Sequence, residues 1–334
     1  VTSITDHHFI ATYYFDNETY WGDQMKNIHD VRAVLYEPDR DIRSAIRGMM
    51  RDVGFAEIID TNRPERAFEA IASGETDLTI FDVNSGTSTN GTGAMSNLIR
   101  DMRRNKIGPN PFLIALGMTG DADQQTINGA VNAGFDSLTL KPFELSIMRK
   151  RLEYFLRARK PFVITSEYVG PDRRQSTRSG DTGAPLFVVP NPVRMIADGM
   201  PRNIMMSHVK EATAELNERK LQRDIVGVTW VADKIEDALS ANDTDRAITL
   251  IKQLRVLARE IDERLEQTVF GHVRDLCTSL LTVSARLEAA GDQPRRKDVE
   301  LLVNVSQAIK RGCDADTDDE VYAREITESL NAGA

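Results

Sequence analysis

Apolar and polar positions follow two regimes along the chain. From Val31 to Arg159, short unbroken apolar runs alternate with stretches of helical period. "VRAVLYE" (31–37), "AEIID" (56–60), "LTIFDV" (78–83), "FLIALGM" (112–118) and "SLTLK" (137–141) have strand length and few polar interruptions. Between them, "DRDIRSAIRGMMRDVG" (39–54) sets Ile42, Ile46, Met49 and Val53 three or four apart, behind an Asp39 suited to cap the first turn. "ERAFEAIASG" (65–74), "GAMSNLIRDMRRN" (93–105), "DADQQTINGAVNAG" (121–134) and "ELSIMRKRLEYFLRAR" (144–159) continue the helical series, the last with Leu145, Met148, Leu152 and Phe155 on one face. Strands that are apolar throughout must be covered on both faces. Five of them alternating with five helices predict a doubly wound parallel α/β sheet.

The second regime follows a break. Residues 160–202 hold Pro161, Pro171, Pro185, Pro190, Pro192 and Pro201 around "GPDRRQSTRSGDTGAP", which reads as a linker with room for a strand or two pinned to a domain. From Asn203 the pattern is helical to the end, first in "ATAELNERKLQRDIVGVTWVADKIEDAL", where Gly227 is a candidate interruption. Residues 243–291 then place Leu254, Leu257, Ile261, Leu265, Val269, Val273, Leu276, Leu280, Val283 and Leu287 three or four apart, the spacing of one long helix with an apolar seam. Such a seam suits the core of a bundle or a parallel homodimer. The expected organisation is an extension over 1–30, an α/β domain over 31–159, the linker over 160–202 and a helical interaction or dimerisation domain over 203–334.

Composition narrows the class. The 334 residues carry 28% charged and 41% hydrophobic side chains and a formal net charge of −9, the balance of a water-soluble chain with two domains. No apolar run has the length of a membrane span, and the first residues lack the pattern of a secretory signal, so a cytoplasmic location is expected. The acidic balance argues against nucleic-acid binding by the whole surface. The two cysteines, Cys277 and Cys313, lie in separate helical patterns without metal spacing and read as packing residues.

In a parallel sheet, ligands bind beyond the carboxyl ends of the strands. Glu37, Asp82, Thr119 and Lys141 stand at four such ends, with Pro142 directly after the lysine. Singly, each reads as a cap, a turn former or a solvated end. Together, "VLYEPDRDIR", "LTIFDV", "FLIALGMTGDAD" and "AGFDSLTLKPFE" resemble the receiver domain of two-component response regulators over about 31–159. The resemblance implies a flavodoxin-like fold with Asp82 as phosphoacceptor, Thr119 as switch hydroxyl and Lys141 as the phosphate-contacting lysine, joined to Pro142 by a cis bond. It further implies Mg²⁺ held by Glu37, Asp82 and the backbone carbonyl of Asn84, and a histidine kinase or phosphotransfer protein as phosphodonor. Its activity is confined to its own phosphorylation and dephosphorylation, and a downstream protein is contacted through the helical half.

The sequence departs from that pattern. Pro38 stands where the second acid of the opening pair is usual, Leu138 replaces a customary aromatic switch residue, and Leu116 competes with Thr119 if the fourth strand ends early. A pseudo-receiver scaffold that is not phosphorylated is therefore the alternative. Two weaker motifs remain. "RRQSTR" (173–178) spaces Arg173, Arg174 and Arg178 as at the mouth of cyclic-di-GMP-binding PilZ barrels, though no six-stranded barrel follows. His272 resembles the phosphorylated position of histidine phosphotransfer helices, but its neighbours do not match. His208 is weaker still, and no helix-turn-helix is evident.

Overall fold

The computed structural model describes residues 27–84, 93–120, 123–174, 185–266, 273–291 and 293–313. Strands β1 (Arg32–Tyr36), β2 (Glu57–Thr61), β3 (Leu78–Asp82), β4 (Ile114–Thr119) and β5 (Ser137–Leu140) form one parallel sheet in the order β2-β1-β3-β4-β5. Helices α1 (Arg40–Val53), α2 (Pro64–Ala72), α3 (Ala94–Arg103), α4 (Gln124–Ala133) and α5 (Leu145–Arg157) make the crossovers. This is the flavodoxin-like doubly wound order. The central strands β3 and β4 are buried at every position, as continuous apolar runs require, while the edge strand β2 is half exposed.

Alternation along each strand divides the interior in two. Ala33, Leu35, Ile80, Leu116 and Met118 face α1 and α5, while Val34, Tyr36, Phe81 and Ala115 face α2, α3 and α4. The helix ends follow sequence chemistry. The Asp39 carboxylate accepts from the amides of Asp41 and Ile42, both at 2.9 Å, and α1 stops at Gly54, whose φ of 115° a side chain would strain.

The segment read as a linker with a strand or two pinned to a domain is, over its described residues 160–174 and 185–202, built into the structure more fully than that. Strands β6 (Phe162–Ile164), β7 (Val169–Pro171) and β8 (Leu186–Phe187) form an antiparallel sheet in the order β7-β6-β8, and α6 (Pro192–Ala197) follows. Its anchor is Phe162, fully buried, with the guanidiniums of Arg103 and Arg159 at 5.1 and 4.8 Å from the ring centroid. Both arginines pair with Asp136, at 2.7 and 3.1 Å, beneath the amino end of β5. Strands this short, cut by prolines, leave too little periodicity to be read from sequence.

The helical half is α7 (Arg202–Ser240), α8 (Thr244–Leu265), α9 (Arg274–Ala290) and α10 (Arg296–Gly312). The far part of α7 packs on α8, α8 on α9, α9 on α10 and α10 back on α7, closing a four-helix bundle around one apolar core. The single helix expected over 243–291 is two helices, because a constant apolar seam is equally satisfied when two arms face one core; Val269 of that seam lies outside the described residues. Gly227 does not interrupt α7. A Cβ there would lie 3.2 Å from Ser166 and 3.3 Å from Leu257, so the glycine permits close approach of α8 and the β6–β7 turn. Cys277 is buried in the bundle and Cys313 half-buried, neither in a disulfide, and burial pushes the Cys277 thiol up to about 12. Among the described residues no helix is long and apolar enough to cross a membrane.

Candidate functional site

At the carboxyl edge of the sheet, β1, β3, β4 and β5 bring Glu37, Asp82, Thr119 and Lys141 to one place. Hydrogen bonds between neighbouring strand ends set the level: Glu37 N–H donates to the Thr61 carbonyl at 3.2 Å, Val83 N–H to Met118 at 2.8 Å and Lys141 N–H to Thr119 at 2.7 Å. The Lys141 ammonium donates to Glu37 Oε2 at 2.5 Å and to Asp82 Oδ1 at 3.2 Å. The Lys141–Pro142 bond is cis. Glu37 and Asp82 are buried, whereas the lysine side chain keeps 17% of its surface in solvent. Thr119 is wholly buried at the last position of β4 and its hydroxyl donates to the Asn84 side-chain oxygen. Leu116, the competing position, packs inside the sheet's core instead.

Two features around Glu37 were not read from the sequence. Its Oε1 accepts the Asp39 amide at 3.0 Å, and Arg43 donates to the carbonyls of Glu37 at 2.6 Å and Pro38 at 3.2 Å. Arg43, in the first turn of α1, thus clamps the β1–α1 turn, and no local spacing rule points to it. Asn84 was expected to act through its carbonyl; what is observed is its side-chain oxygen accepting from the Thr119 hydroxyl. Leu138 is half-buried on Gly117, where an added Cβ would come within 2.8 Å of the leucine.

The donor set bears on magnesium. Among the described residues no three His, Cys, Asp or Glu side chains gather as a metal cage. The Asp39 carboxylate does not substitute for the acid missing at 38, because it caps α1. Glu37, Asp82 and a carbonyl at Asn84 do suit a hard ion that keeps waters and takes phosphoryl oxygens, the usual way Mg²⁺ is bound with one or two carboxylates.

The weaker motifs lie elsewhere. Arg173 donates to the Phe135 carbonyl before the amino end of β5 and Arg174 pairs with Asp172 just after β7 at 2.9 Å, neither with the carboxyl-edge cluster, while Arg178 and His272 fall outside the described residues. His208 is exposed on α7.

No family model matches this chain, and no curated protein matches it. Solved structures similar to it include a response regulator from Thermotoga maritima, with 24% identity over 37% of this chain and 94% of that one at a TM-score of 0.31. A chemotaxis protein from Vibrio cholerae has 18% identity over 37% of this chain and 96% of that one, at 0.31. A pilus assembly-related protein from Burkholderia pseudomallei has 19% identity over 37% and 87%, at 0.30. The fold assignment rests on the strand order and crossovers described above.

Proposed function

We propose that the α/β domain is a receiver that accepts a phosphoryl group on Asp82 and that the helical bundle is its protein-contacting output. The observation that carries this reading is the Lys141 ammonium, held between the Glu37 and Asp82 carboxylates with two of its three hydrogens used and its flank open to solvent. An oxygen of the Asp82 carboxylate attacks phosphorus. The bond from phosphorus to the donor breaks with its electron pair leaving on the donor, and Asp82 becomes an acyl phosphate. With acetyl phosphate the leaving group is acetate. With a phosphohistidine of a partner kinase or phosphotransfer protein it is the imidazole. Lys141 neutralises one phosphoryl oxygen as a point charge. Thr119 can turn its hydroxyl from Asn84 to another oxygen, drawing the end of β4 inward. Mg²⁺, when held by Glu37, Asp82 and the Asn84 carbonyl, supplies further neutralisation of the anion. Turnover is confined to the protein's own phosphorylation and dephosphorylation.

Acetyl phosphate with Mg²⁺ is expected to leave a hydroxylamine-sensitive phosphoryl group on the wild-type chain and none on Asp82→Asn. An adduct that survives the substitution removes Asp82 from its role. A second reading, a scaffold that keeps the fold without phosphorylation, draws support from Pro38 and from the engagement of both Glu37 oxygens. Magnesium titration followed by NMR separates the two, since unmoved Glu37 and Asp82 signals at millimolar metal favour the scaffold.

A further inference from the structure

The helix α7 belongs to two hydrophobic cores. Met205, Val209 and Leu216 pack with the α/β domain, and from Leu221 onward its buried residues pack in the bundle. Between these sets the interior is ionic. Lys220, with no exposed surface, donates to Asp224 one turn on, to Glu260 Oε2 on α8 at 3.0 Å and to the Ser166 carbonyl of the β6–β7 turn at 3.0 Å, which uses all three of its hydrogens. Glu260 Oε1 accepts from Arg104 at 2.8 Å and lies 3.2 Å from Lys106, both just beyond the end of α3. Arg264 on α8 donates to the Arg104 carbonyl at 3.3 Å and stands 3.6 Å from Asp224 Oδ2, which accepts no hydrogen bond. Arg104 also donates to the Glu167 carbonyl at 2.6 Å, Gln253 donates to Glu167 Oε1 at 2.5 Å, and Glu263 lies 3.7 Å from Lys106 at the exposed rim.

We propose that this ionic joint is a latch, which holds the bundle against the α/β domain through Glu260 and lets the two part as intact bodies, pivoting on α7 between Leu216 and Leu221, when Glu260 is neutralised or its cations are withdrawn. Each body keeps its own apolar core when they part. What opens to water is mostly charge, and charged groups recover their hydration on exposure, so opening costs far less than separating an apolar interface of the same size. The closed state is nevertheless specific, because Lys220 and Glu260 find all their partners in one arrangement alone. Glu260 is the shared element, since it faces Lys220, Arg264, Arg104 and Lys106 together. Those cations hold its carboxyl down to about 2 against the pull of burial, whereas burial lifts Asp224 to about 6. The latch does not depend on Asp82 being phosphorylated.

The test uses the full chain. Glu260→Gln keeps the shape and removes the charge. It is expected to raise the radius of gyration in small-angle scattering and to speed amide exchange roughly tenfold in the β6–β7 turn and around Lys220, with exchange in β1, β3 and α9 unchanged. If that variant fails to fold, the double variant Arg104→Ala/Lys106→Ala removes the cations from the α/β side while leaving the bundle core untouched, and the same opening is expected with bundle helicity intact. Scattering and exchange identical to wild type in the folded variants overturn the latch, and so does loss of bundle structure in the double variant. Phosphorylation of Asp82 is expected to survive both variants, so failure of the latch and failure of the receiver reading are distinguishable.

Discussion

Among the described residues two lysines each donate hydrogen bonds to two carboxylates, and the two settings differ. Lys141 lies at the carboxyl edge of the sheet with Glu37 and Asp82, its side chain 17% exposed and one hydrogen left over. Lys220 lies at the joint with Asp224 and Glu260, has no exposed surface, and spends its third hydrogen on the Ser166 carbonyl. The charges are alike. The difference lies in what completes the ammonium: open space at a strand end in one case and a backbone carbonyl in the other. An incomplete, partly wet cluster can take in an anion, whereas a complete, dry one fixes the position of the elements that form it.

Removing the lysines sharpens the contrast most. Lys220→Met leaves two carboxylates buried without their shared cation, and about 3–5 kcal/mol of stability is expected to be lost. Lys141→Met also leaves two buried carboxylates without their cation, but one flank of this site is open to solvent, so water can take over part of the lost solvation and a smaller loss is expected. Urea denaturation of both variants measures this, and equal losses would erase the distinction.

Proton linkage gives the next effect. The folded chain binds a proton at Asp224 at about 6, and the unfolded chain only near 3.8. Folding therefore takes up this proton between those values, and the stability of wild type relative to Asp224→Asn rises as pH falls from neutral to about pH 4, by about 2–3 kcal/mol. Glu260 works in the other direction and lower down. Its carboxyl titrates at about 2 in the folded chain against 4.5, so its contribution is present above 4.5 and lost as pH falls toward 2. Thermal melts across that range check both signs, and a wild-type advantage that shrinks between neutral pH and pH 4 contradicts the assignment.

At the other lysine, Pro38→Asp restores a carboxylate beside Glu37, and Mg²⁺ affinity is expected to rise roughly tenfold by calorimetry. No change would place the metal elsewhere. The smallest expected effect is Gly227→Ala. The helix gains up to about 1 kcal/mol in propensity, and the methyl meets Ser166 at 3.2 Å and Leu257 at 3.3 Å, so the two nearly cancel. A melting shift of many degrees would show the joint to be more tightly packed than these distances allow.

Much of the carboxyl edge was legible because local signals agree with the topology. Apolar runs gave β1 to β5, Asp39 and Gly54 marked the ends of α1, and parallel strands joined by helices put Glu37, Asp82, Thr119 and Lys141 at one edge. The joint was not legible for a physical reason. Arg104 and Glu260 are 156 residues apart, Lys220 and Asp224 look like any solvated i,i+4 pair, and nothing local shows that both are buried. The division into α8 and α9 escaped because a period alone does not tell one helix from two that share a core. After Pro161 a strand or two was expected and the three-stranded sheet was not, because its order comes from Phe162, held by Arg103 of α3 and by Arg159 just beyond α5.

The most direct test of the contrast is NMR of the lysine ammonium groups before and after acetyl phosphate and Mg²⁺ are added. The account predicts that the Lys141 Nζ signal moves as Asp82 is phosphorylated while the Lys220 Nζ signal stays in place. A phosphorylated chain in which the Lys141 signal is unchanged would contradict it.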